Sequence, residues 1–155
     1  MLFVYTVLMV GVLSFSGCKN NANKDFVDLG LPSGTLWKIS NDKTFCTHDE
    51  ALKLIDGQLP TKEQFEELMS QCDWTWTDYG YLVTGKNGNS ITLPANGKEY
   101  GNEVADARHL GAYWSGSTDG DFAYYLEFTS ERHNLDWTIK NGNIKCSVRL
   151  VQLVK

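Results

Sequence analysis

The sequence predicts an α+β domain in which an N-terminal β-hairpin, two helices, a long loop and antiparallel C-terminal strands follow one another. Three observations carry that expectation. Two apolar segments flank Pro32-Ser33-Gly34, two threonine-led capping signatures lie together mid-chain, and period-two alternation fills the last third. Because helical and strand patterns are segregated along the chain, a βαβ parallel sheet is not expected.

Phe26-Val27-Asp28-Leu29-Gly30-Leu31 and Thr35-Leu36-Trp37-Lys38-Ile39 form the arms of the first hairpin, since the Pro and Gly between them suit a turn. Thr47 with Glu50 makes a capping box, and Ala51, Leu54 and Ile55 form a short apolar stripe that ends at Gly57. Thr61 with Gln64 repeats the signature behind Pro60. Phe65, Leu68, Met69 and Cys72 then recur at helical spacing, which turns Cys72 toward the core. Tyr81-Leu82-Val83-Thr84 and Ser90-Ile91-Thr92-Leu93, joined across Asn87-Gly88, read as a second hairpin. Residues 95–111 are polar, contain glycine and lack periodicity, which predicts a long loop. Beyond Ala112-Tyr113-Trp114-Ser115 and the turn Thr118-Asp119-Gly120-Asp121, one strand face carries Phe122, Tyr124, Leu126 and Phe128. In the closing strand Ile144, Cys146, Val148 and Leu150 alternate with Lys145, Ser147 and Arg149.

Residues 1–17 carry no charge, and an apolar run precedes the small residues Ser14, Ser16 and Gly17, the pattern of a secretory signal. It is short for a membrane span, which takes about 20 apolar residues. Phe15-Ser16-Gly17-Cys18 resembles the bacterial lipobox, in which the cysteine is acylated and becomes the new N-terminus, although Phe15 stands where Leu is usual and no Lys or Arg precedes the apolar run. The expected organisation is a signal peptide over residues 1–17, lipidated Cys18 and a polar tether over residues 18–24, and one domain over residues 25–155. Two or more acyl chains then anchor the protein to the outer or inner membrane of the cell envelope, on the periplasmic side or at the surface.

All charged residues follow Cys18, so the mature chain keeps the formal net charge of -5, which argues against nucleic acid as a partner. Once Cys18 is lipidated, Cys46, Cys72 and Cys146 remain. One disulfide and one free thiol is the simplest outcome outside the cytoplasm, with the connectivity open.

Several strings, in order, resemble one family: Phe26-Val27-Asp28-Leu29-Gly30-Leu31-Pro32-Ser33-Gly34-Thr35-Leu36-Trp37, Leu59-Pro60-Thr61-Lys62-Glu63-Gln64-Phe65, Gly88-Asn89-Ser90-Ile91-Thr92-Leu93-Pro94-Ala95, Tyr113-Trp114-Ser115 and Ser147-Val148-Arg149-Leu150-Val151. The chain after Lys24 is similar to the "major paralogous" (FISUMP) domains found in lipoproteins and surface proteins of Gram-negative gut and oral bacteria. That resemblance implies a C-type lectin-like fold related to the formylglycine-generating enzyme. Family members commonly carry a cysteine where this chain has Ser40, and here the cysteine is Cys46, so the family's usual pairing does not transfer directly.

The calcium motifs of C-type lectins, Glu-Pro-Asn or Gln-Pro-Asp with a later Trp-Asn-Asp, do not occur. Asp119 and Asp121 alone fall short of the roughly six to eight oxygens calcium takes, so no metal site is expected. Cys46, His48 and Cys72 suggest zinc or a Cys-His nucleophile less well than a disulfide. Cys146 stands without the second metal-binding cysteine of the formylglycine-generating enzyme. Glu63, Glu66 and Glu67 fit a solvated first helical turn, and His109 and His133 solvated loops.

The aromatic set is more suggestive. Trp74, Trp76, Tyr79, Tyr100, Tyr113 and Trp137 sit among Asp, Asn, Thr and Gly in segments read as loops, and flat rings beside polar groups suit sugar faces or protein hot spots. Tyr100, Tyr113, Trp114, Trp76 and Tyr79 are the candidate ligand-binding residues. The expectation is a non-catalytic, calcium-independent recognition or adhesion domain for a glycan or protein ligand, without a cofactor. The alternatives are a structural envelope component and an enzyme of the formylglycine-generating or hydrolytic type.

Overall fold

The computed structural model describes residues 24–154; the signal segment and Cys18 lie outside the described residues. In chain order the elements are β1 (Phe26–Asp28), β2 (Thr35–Lys38), β3 (Lys43–Cys46), α1 (His48–Ala51), α2 (Lys62–Gln71), β4 (Asp73–Thr77), β5 (Gly80–Thr84), β6 (Ser90–Pro94), β7 (Lys98–Tyr100), β8 (Glu103–Ala105), β9 (Leu110–Asp119), β10 (Phe122–Thr129), β11 (Arg132–Ile139), β12 (Ile144–Val148) and β13 (Val151–Leu153). The two expected hairpins are present, β1 with β2 and β5 with β6, and both capping boxes close.

The expected α+β, C-type lectin-like layout needs correcting, because 52% of the structure is strand and only 11% helix. Helix α1 stops after four residues: Leu52 is its C-cap, and Ile55 at the end of the expected stripe is 92% exposed, so no apolar face drives further turns. Residues 95–111 are not a long structureless loop. β7 pairs with β12, aligning Tyr100 with Ile144, and β8 folds back on β7 through a turn at Gly101. This small hairpin is exposed on most positions, so it carries no apolar alternation to read. The aromatics assigned to loops are likewise on strands: Trp74 and Trp76 on β4, Tyr113 on β9, and Trp137 on β11.

The largest sheet has the order β11-β10-β9-β12-β7-β8, with β3 also pairing with β12. It is mixed, because β9 and β12 run parallel at Ser147 and Tyr113 while the neighbouring ladders are antiparallel. Its central strands are buried on both faces. Tyr113, Leu126 and Phe128 point to one cluster with Trp37, Phe65, Leu68, Tyr81 and Leu93; Ala112, Trp114, Ala123 and Tyr125 point to a second with Cys46, Cys146, Val148 and Leu150. Helix α2 and the β4-β5-β6 sheet supply side chains to the first cluster, and α1 and β3 to the second. The third sheet, β1-β2-β13, joins the first and last described strands, with Trp37 facing Val27 on one side and Val151 on the other.

Candidate functional site

The β4–β5 and β10–β11 turns approach the segment between β8 and β9, and a cleft of about 770 Å³ opens there. Trp76, Asp78, Arg108, His109, Thr129, Ser130 and Glu131 line it. Trp76 is half-buried and fixed edge-on against Tyr81 at 5.0 Å and Phe128 at 6.4 Å between ring centroids, so the core sets the orientation of its ring.

The rim at Arg108 is built by backbone constraint. Asp106 and Arg108 have φ of 58° and 71°, a left-handed conformation that non-glycine residues adopt at a cost of about 1 kcal/mol or more. Hydrogen bonds hold them there: the amide of Arg108 donates to Ala95 O at 2.7 Å, and those of His109 and Leu110 to Asp106 O at 3.0 Å. The amide of Ala95 in turn donates to Tyr79 O at 2.7 Å, locking the β4–β5 turn to the same segment. The result is a guanidinium held over the Tyr79 ring, 5.0 Å from its centroid, while the ring stays 65% exposed. Beside the cleft His133 stacks on Trp74 at 4.4 Å, and burial pulls its pKa below the ordinary value.

Of the five sequence candidates, Trp76 lines the cleft, and Tyr79 adjoins it beneath the Arg108 guanidinium. Tyr100 is 45% exposed but lies away, at the end of β7. Tyr113 and Trp114 are buried in the core, and neither ring reaches the surface. The Tyr113 hydroxyl donates to Pro94 O at 2.7 Å and burial pushes its pKa up to about 12; Trp114 donates to Cys46 O at 2.8 Å. Sequence reading missed Arg108 and underrated His109, although the apolar-poor Asp106-Ala107-Arg108-His109 string was the only local sign.

Chemically the cleft offers a ring wall, one cation and two carboxylates, Asp78 and Glu131. His109 and Ser130 share it without a hydrogen bond between them. Among the described residues no group of three or more His, Cys, Asp and Glu is arranged to hold a metal ion. Cys46, Cys72 and Cys146 are free thiols: Cys46 and Cys146 lie opposite each other on β3 and β12, and Cys72 at the end of α2 packs on the other cluster. No family model, curated protein or solved structure matches this chain.

Proposed function

We propose that this chain is a cell-envelope lipoprotein, anchored through Cys18, whose domain is a non-catalytic recognition module that takes a glycan or protein ligand in the cleft at Trp76. One observation carries the reading: Arg108, held by strained backbone over the exposed Tyr79 ring, lines the same cleft as the half-buried Trp76. Aromatic rings beside a cation and carboxylates suit a polar ligand with a flat face, and backbone that already holds these groups lowers the cost of ordering them on binding. The likeness of the sequence to FISUMP domains of surface lipoproteins supports the same reading.

The test is a glycan and surface-protein array probed with the full-length chain in detergent. Binding is expected to survive EDTA and to weaken by about 2 kcal/mol in Tyr79→Ala and in Arg108→Ala, the size of a hot-spot loss. Tyr100→Ala, exposed but remote, should leave it intact. Binding abolished by EDTA, or full binding by a folded Tyr79→Ala/Arg108→Ala double variant, overturns the proposal.

A further inference from the structure

We infer that Cys46 and Cys146 are an oxidisable pair that closes into a buried cystine tying β3 to β12, with Cys72 left as a free thiol. β3 and β12 run antiparallel, and the two cysteines are direct register partners. Residues opposed in this way have Cα atoms about 4.5–5.5 Å apart, inside the roughly 4.4–6.8 Å that a cystine spans. Opposed side chains leave the sheet on the same face, and both sulfurs join the cluster of Trp114, Tyr125 and Val148. Cys46 Sγ already lies 4.0 Å from Cys146 O. Next to the pair the register slips by one residue, a bulge that lets the end of β3 adjust its Cβ direction. Cys72 sits on the opposite face of the central sheet, packed against the first cluster, and reaches neither.

Timing follows from burial. Cys46 is 4% exposed and Cys146 is fully enclosed. Burial pushes the Cys46 thiol up to about 11, so the folded chain presents almost no thiolate, the species that exchanges. The bond therefore forms during folding, before β3 docks. The oxidant is a disulfide. One cysteine loses its proton and its thiolate attacks a sulfur of the oxidant, expelling the first thiolate; the second cysteine's thiolate then attacks the mixed disulfide and expels the other. Two protein thiols are oxidised, one disulfide is reduced to two thiols, and these take up the two protons. The closed loop links positions 100 residues apart, long enough for a large effect on the unfolded chain.

The test refolds the full-length chain from reducing denaturant in a mixture of oxidised and reduced glutathione, then alkylates, digests and maps it by mass spectrometry. Expected are a peptide pair joining Cys46 to Cys146, an alkylated Cys72, and a melting temperature about 10 °C above that of the reduced chain. Cys72→Ser should form the same bridge, which keeps the test decisive if Cys146→Ser fails to fold. A dominant bridge to Cys72, or complete alkylation of both Cys46 and Cys146 in the refolded chain, overturns the inference.

Discussion

Arg149 is 1% exposed and satisfies its guanidinium on oxygens of two separate segments: Asn41 Oδ1 at 2.7 and 2.9 Å with the carbonyls of Lys38 at 2.9 Å and Ile39 at 3.1 Å, and Thr92 O at 2.6 Å. Removing it strands buried carbonyls, so Arg149→Met is expected to cost about 3 kcal/mol or more in urea denaturation, and Arg149→Lys should recover little, since an ammonium cannot match the planar fork. His48 poses a different problem. Its Nε2 donates to Ser115 O at 3.0 Å, while the bare Nδ1 has no partner and the ring packs edge-on against Trp114. Burial lowers its pKa below 6.5, as it does for His133, so the folded chain binds fewer protons than the unfolded one in that range. Stability is full above the unfolded value and falls as pH drops below about 6.5. Melting temperature should decline as pH falls below about 6.5, and His48→Gln should flatten that decline. The Glu50 carboxylate, held low by the Thr47 amide and hydroxyl, loses its contribution only further down, below 4.5.

At the scale of elements, α2 depends on its first turn. Thr61 Oγ1 accepts from the Gln64 amide at 3.1 Å, Gln64 Oε1 accepts from the Thr61 amide at 2.8 Å, and the Lys62 amide donates to Ser117 Oγ at 2.9 Å, tying the helix start to β9. Thr61→Ala should lower stability by about 1 kcal/mol, read from denaturant midpoints at unchanged slope. The β4–β5 turn depends on Gly80, whose φ is 141°; a Cβ there would sit 2.1 Å from Leu93 O. Gly80→Ala must therefore break the β5–β6 pairing as well as the turn that presents Tyr79. A loss of stability accompanied by loss of ligand binding is expected, whereas a stable variant with intact near-ultraviolet circular dichroism would count against this account of the rim.

For the whole molecule, the central sheet is the shared wall of two cores, and Trp114 belongs to it on the side of Cys146. Trp114→Ala should cost about 3 to 5 kcal/mol and show as unfolding rather than as a selective binding defect, measured by thermal melts alongside the array. Both hairpins and both helix starts were legible because turn residues, caps and alternation act over a few neighbours: Pro32-Ser33-Gly34, Asn87-Gly88, Thr47 with Glu50 and Thr61 with Gln64 each state their role locally. The β7–β8 hairpin and β11 were not, since exposed and edge strands can be polar on both faces and are held by a partner's backbone. The cleft was legible only in part. Trp76 and Tyr79 could be named as aromatic candidates, but Trp114 and Tyr113 have the same local character and are buried. Whether a ring meets solvent depends on what the chain lays across it from dozens of residues away, as Cys46 lies across from Cys146 and Arg108 over Tyr79. Local chemistry in the sequence thus set where strands and helices begin, while long-range packing chose which rings became core and which became surface.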